Sequence, residues 1–349
     1  MVKTKSRILQ FFTVSHRGLF AWLLPVIALL TFLASWAGIY PSALVERWYA
    51  RTIFPKVSEI AGHVADAVSI SWLDLALPAS AVALVVLLLT RRWKWAVNFI
   101  AALYLIFFWT WGLNYHRQPL NSKLQLDADR MQSAAIMEFA KHIAHELNRL
   151  YLEKEKQPYD ETQTREEAAV RVRRVVGVID GADWKAANRI KVTRLGNPWF
   201  HAAGIEGMFN PFPQEPLVSN TLLDIERPFV IAHELAHVRG YPDEGDANVI
   251  ATLATLMSNS PRFQYSGWLN LWLYVRNRDL DKLLDPGPRR DIQRIFDRER
   301  QEEVRWINDL QRTILDWFLK ANSIDEGVRS YSRVVLVAAG TEPTWERFR

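Results

Sequence analysis

Three stretches without a single charged side chain restrict this chain more than anything else in it. Gly18 to Tyr40 runs 23 residues, Trp95 to Leu113 runs 19, and between them Leu75 to Thr90 runs 16. A helix rises about 1.5 Å per residue, so roughly 20 apolar residues cross the ~30 Å hydrocarbon layer. The first and last runs meet that length unaided. The middle one meets it if Ser71 to Asp74 sit among the headgroups, and Trp109 and Trp111 fall where an interfacial aromatic belt is expected. The expectation is three N-terminal transmembrane helices, at about 18–40, 72–90 and 95–113. The first run exceeds the ~7–15 apolar residues of a cleaved signal and lacks a small-x-small site after Tyr40, so it is expected to be retained.

Charge gives the expected orientation. Lys3, Lys5, Arg7 and Arg17 precede the first run, and Arg91, Arg92 and Lys94 crowd the short connection between the second and third. The connection 41–73 carries only Arg47, Arg51 and Lys56 in 33 residues. Basic residues stay on the cytoplasmic side. The reading is a cytoplasmic N-terminus (1–17), a membrane domain (18–113) and an extracytoplasmic domain (114–349). The chain has no cysteine, which excludes disulfides, thiolate metal sites and cysteine nucleophiles. Its net charge of +5 is spread along the sequence and gives no reason to expect a nucleic-acid partner.

Beyond residue 114 the patterning is mainly helical. Gln125 to Glu155 has apolar residues at helical spacing, and 197–220, rich in Gly, Pro and Asn, reads as a loop with a short strand. A helix is expected from about Pro228 to Val238, stopped by Gly240 and Pro242, with another starting near Asp243. "GWLNLWLYV" is about half a membrane span and is expected in a core and not in the membrane. A long charged helix is expected from about Arg289 to Ala321.

The chemistry concentrates in His233-Glu234-Leu235-Ala236-His237, an HExxH motif. On a helix, residues i and i+4 stand one above the other, so both imidazoles can hold one Zn²⁺ while Glu234 serves as general base. Zinc lowers the pKa of water towards ~7 and polarises carbonyls. A catalytic zinc takes three protein ligands, and three acids compete for the third place: Asp243, Glu244 and Asp246. Asp243 would complete HExxHxxGxxD, a variant of the metzincin layout. Glu244 begins an ExxAN segment similar to the glutamate helix of gluzincins, with Asn248 one turn on to hold a ligand imidazole. Glu244 is preferred; Asp243 is also a natural helix N-cap. Tyr331 is a candidate oxyanion donor, and "GIEGMFNPF" (204–212) a candidate edge strand for an extended peptide. His116 and His201 stand alone and are expected to be structural.

Several segments in fixed order, "WGLNYHR" (111–117), "GMFNPF" (207–212), "PFVIAHELAHVRG" (228–240), "EGDAN" (244–248), "YSG" (265–267) and "GVRSY" (327–331), resemble the domain of unknown function 3810 family from about Glu46 to Val337. That resemblance implies a bacterial cytoplasmic-membrane protein with a zincin-like α+β metallopeptidase domain and a small sheet. Members commonly read Glu-Asp-Glu-Ala-Asn where this chain has Glu-Gly-Asp-Ala-Asn, a departure that weakens Asp246 as a ligand. The expected activity is zinc-dependent hydrolysis of a polypeptide substrate at the lipid bilayer. The alternative is a noncatalytic zinc-binding membrane scaffold or sensor.

Overall fold

The computed structural model describes residues 16–156, 158–181, 189–322, 324 and 333–349, with side chains from Trp22 onward. Helices α1 (His16–Trp36), α4 (Trp72–Leu89) and α5 (Trp93–Thr110) form the apolar end of the molecule. Among the described residues two helices are long and apolar enough to cross a membrane, α4 and α5, which is one fewer than the three spans expected. The described apolar part of α1 is Trp22–Trp36, and the helix stops short of Tyr40 because the chain turns at Gly38, where φ is +65°. Similarly, α5 ends at Thr110, and a 3₁₀ turn, Gly112–His116, follows where the apolar run still continues in sequence.

The segment between the first two apolar runs is helical and not a simple connection. A turn, α2 (Ser42–Leu44), runs into a π-helical stretch, Val45–Ile53, and then α3 (Phe54–Asp66). It packs on the downstream domain: Ser58 Oγ donates to the Val238 carbonyl at 3.3 Å, and Phe54 is fully buried beside Gly240.

That domain is a helical body. Its long outer helices are α6 (Ser133–Glu155), starting later than the periodicity suggested, and α7 (Glu161–Asp180). After α8 (Asn197–Ala203) comes an antiparallel hairpin of β1 (Gly207–Asn210) and β2 (Glu215–Val218), in register Gly207↔Val218 and Asn210↔Glu215. A parallel bridge from Lys191 to Leu217 covers the far side of β2, so β1 is the edge strand. Helix α9 (Arg227–Val238) opens with Pro228 in its first turn, where a missing N–H costs nothing. Helix α10 (Glu244–Leu256) is capped by Asp243, whose side chain accepts from the Asp246 N–H at 2.9 Å. Between them Gly240 has φ +78°, and a Cβ there would lie 2.7 Å from Phe54 and 2.9 Å from Asn114 Oδ1; only glycine fits.

Every residue of α10 from Ala247 to Leu256 is buried, with α7, α9 and α11 (Pro261–Val275) packed around it. Helix α11 contains the expected core segment, with Tyr265, Leu271 and Trp272 fully enclosed. The single long helix expected over 289–321 is two: α12 (Pro286–Glu302) and α13 (Arg305–Ala321), broken where Val304 N–H donates to the Ala202 carbonyl of α8 at 2.9 Å. Helix α14 (Val334–Thr341) closes the far side against α10.

Buried carboxylates join this body to the apolar helices. Glu215 of β2 accepts from Ser71 Oγ and Trp72 N–H, both at 3.0 Å, capping α4. Lys191 balances its charge at 2.9 Å.

Candidate metal centre

Helix α9 is buried along almost its whole length because its apolar positions meet the hairpin on one side and α10 on the other. His233 and His237, one turn apart, bring their rings to 4.7 Å between centroids at 85°. Each imidazole is held by its Nδ1. That of His233 lies 2.8 Å from Asn248 Oδ1, and that of His237 lies 2.7 Å from the Tyr241 carbonyl. Both partners are acceptors, so each ring in its neutral form carries its proton on Nδ1 and leaves Nε2 bare. Asn248 is oriented in turn by Tyr274, whose hydroxyl accepts from its amide at 3.2 Å.

The two bare Nε2 atoms are 3.0 Å apart, and Glu244 Oε2 is 3.1 Å from one and 3.3 Å from the other. Three acceptors this close repel one another unless a cation lies among them. Ligands about 2.0–2.1 Å from a tetrahedral Zn²⁺ stand roughly 3.3–3.4 Å apart, within a few tenths of an ångström of this triangle. The donor set therefore fits the metal. With only a proton to share, burial disfavours a charged His237, yet the Glu244 carboxylate beside it holds its pKa up at about 9. Burial would raise Glu244, but His237 and His233 outweigh it and hold its carboxyl far below the ordinary range.

The other two acids are engaged elsewhere. Asp243 caps α10 and accepts from Arg333 at 2.7 Å; Asp246 accepts from the Leu120 N–H at 3.3 Å. Among the described residues the metal-competent group is His233, His237 and Glu244.

Glu234 is 3% exposed, and its Oε2 has no hydrogen-bond partner. Burial pushes its carboxyl up to about 7, with His233 and His237 pulling the other way. It lies under the edge strand: a Cβ on Gly207 would collide with Glu234 Oε1 and stand 2.9 Å from its Cδ. On the apolar side, Trp111, just beyond α5, donates from Nε1 to the His237 carbonyl at 3.3 Å, and Phe209 of β1 packs on its ring at 5.1 Å. The centre thus sits at the end of α5.

Tyr331 lies outside the described residues. His116 pairs with Ser35 Oγ and His201 with Asn220 Oδ1, each at 2.8 Å, away from the cluster. Sequence reasoning missed Tyr241 and Tyr274, which support the two imidazoles. It also missed a buried charge cluster behind them. Arg117 donates to Glu46 at 3.1 Å, to Asp180 at 2.9 Å and to the Gly240 carbonyl at 2.9 Å. Lys123 bonds Glu46 at 2.6 Å, and the Tyr241 hydroxyl donates to Asp180 at 2.7 Å. An arginine just past an apolar run reads in sequence as a headgroup anchor; its burial here was the missing information.

A family model matches residues 49–338, well over half of the chain, and its description is Protein of unknown function (DUF3810). The chain belongs to this family. No curated protein and no solved structure matches this DUF3810 chain. Three of the segments that carry the resemblance come together in this structure: "WGLNYHR" under α9, "GMFN" over Glu234, and "EGDAN" beside the two histidines.

Proposed function

We propose that this chain is a membrane-anchored zinc metallopeptidase of gluzincin-like layout, hydrolysing peptide bonds in a polypeptide. The observation that carries the reading is the triangle of three acceptor atoms from His233, His237 and Glu244, with the orphaned carboxylate oxygen of Glu234 buried on the same helix. Zinc held there supplies Lewis-acid polarisation of the scissile carbonyl and lowers the pKa of water. Asn248 and the Tyr241 carbonyl keep both imidazoles in the tautomer with Nε2 free. Glu234 takes a proton from the attacking water, the C–N bond breaks, and Glu234 returns the proton to the departing nitrogen. The free edge of β1 offers backbone groups to an extended peptide, laying it across Glu234. A noncatalytic scaffold would close its metal with four protein ligands; among the described residues three converge.

In this reading α1, from His16, joins α4 and α5 as a third span of the bacterial cytoplasmic membrane. Tyr40, after α1, packs on Phe108 near the end of α5 at 5.5 Å, and Ser35 bonds His116. The end of α1, the start of α4 and the end of α5 thus lie together on the side of the helical body. Arg91, Arg92 and Lys94 lie at the opposite end, the cytoplasmic one by the positive-inside rule, which leaves the metal centre outside. Leu77, Val82, Val85 and Leu89 of α4 are exposed along the chain's surface, as lipid-facing residues are.

The test is metal content together with digestion of a peptide library by the purified full chain. About one zinc per chain and cleavage products are expected, with Glu234→Gln retaining zinc but losing turnover by several orders of magnitude. Full activity in Glu234→Gln would remove this mechanism, and stoichiometric metal without cleavage by the parent would favour the scaffold.

A further inference from the structure

Helix α13 has three faces. Leu319 is buried, and Asn308 lies beside Gly204 at the end of α8, so this side belongs to the protein. Arg305, Asp309, Arg312, Asp316 and Lys320 form a second, charged side, with Lys320 paired to Asp316 at 2.6 Å. At 100° per residue, Trp306, Leu310, Ile314 and Trp317 fall within an arc of about 80° on a third side. Their exposures are 67%, 45%, 50% and 71%. A contiguous apolar stripe this open is not left to water in a stable protein.

What covers it follows from its neighbours. Phe318, at the C-terminal end of α13, meets Phe107 of α5 at 6.2 Å between ring centroids and Tyr115, just past α5, at 6.2 Å. Phe318 therefore joins the C-terminal end of the stripe to the face of α5 that carries Phe107 and, two turns earlier on that same face, Ile100, which is 54% exposed. Its tryptophans stand eleven residues apart, about 16 Å along the helix, as amphipathic rings at an interface do.

We propose that α13 lies in the plane of the bilayer surface, with Trp306, Leu310, Ile314 and Trp317 among the lipid headgroups and upper acyl chains. This rests on the reading of α4 and α5 as membrane spans, and it gives the metal centre a second attachment to the membrane besides α5. The attachment reaches the site: α13 is bonded through Val304 to α8, which leads into β1 over Glu234. Substrate polypeptide would then be engaged at the membrane surface.

The absence of cysteine makes the test direct. Single cysteines at Leu310, Ile314, Arg312 and, on α4, Val82 are spin-labelled in the full chain in lipid nanodiscs, and collision with oxygen is compared with collision with a water-soluble nickel chelate. Expected is a preference for oxygen at Val82, a smaller one at Leu310 and Ile314, and a reversal at Arg312. Oxygen preference at Val82 with nickel preference at Leu310 and Ile314 would overturn the proposal and leave the spans standing. Poor collision with both reagents at Leu310 would also overturn it, since protein would then cover the stripe. Nickel preference at Val82 would overturn the spans and the proposal together.

Discussion

Replacing Glu46 by glutamine tests the buried cluster that backs the candidate metal centre. The Glu46 side chain is 4% exposed and takes bonds from Arg117, from Lys123 at 2.6 Å and from Arg51 at 2.9 Å. With Asp180 it balances Arg117 and Lys123. Glutamine leaves two enclosed cations facing one carboxylate, and breaking a buried pair on one side costs about 3–5 kcal/mol. Linkage gives a similar figure. Burial would raise the Glu46 carboxyl, but Arg117 and Lys123 overcome it and bring the pKa from 4.5 down to about 2. A depressed carboxyl contributes stability that is fully present above the unfolded pKa and lost as pH falls towards the folded one, here between 4.5 and about 2. That amounts to about 3 kcal/mol at pH 7 and roughly half of that at pH 3. Thermal unfolding in nanodiscs should therefore show Glu46→Gln roughly 6–10 °C below the parent at pH 7, with the gap narrowing towards pH 3. Lys123→Met added to Glu46→Gln restores neutrality, so the double variant should lose less than the sum of the singles by about 1–3 kcal/mol. Additive losses, or a gap that widens on acidification, would refute the account.

The candidate metal centre gives four further expectations. Glu244→Ala should lose zinc to a mild chelator, since two histidines cannot hold it. Asp243→Ala should keep zinc while losing about 0.5–2 kcal/mol as a missing N-cap, so metal analysis after dialysis beside a melting curve separates the two roles. Asn248→Ala frees the His233 ring and should weaken zinc binding about 10–100-fold in a competition titration. Gly207→Ala pushes on the Glu234 carboxylate without touching a ligand, so zinc content should stay at the parent level while peptide cleavage falls.

Much of the site was legible because its spacing is local. HExxH places two imidazoles on one face of any helix, and Gly240 with Pro242 marks the turn that lets a second helix begin with Glu244. The apolar runs likewise announced α4 and α5 by length and composition alone. Choosing among Asp243, Glu244 and Asp246 was a different matter, because all three lie within one turn and differ only in direction. The fold directs them: Asp243 turns to cap α10 and meet Arg333, Asp246 turns to Leu120, and Glu244 turns towards the histidines.

Periodicity and residue type along a few turns determine whether a helix forms, which face is apolar and which side chains share that face, because helix geometry repeats over short distances. Sequence by itself therefore determined the histidine pair, the glutamate beside it and the two long apolar helices. It had no means of pairing Glu46 with Arg117, Arg117 with Asp180, or Tyr274 with Asn248. Those partners are separated by 71, 63 and 26 residues, and meet only when distant helices pack. The tertiary structure alone decided them, since whether a charge anchors at a headgroup or balances another in the core depends on what surrounds it once water is excluded.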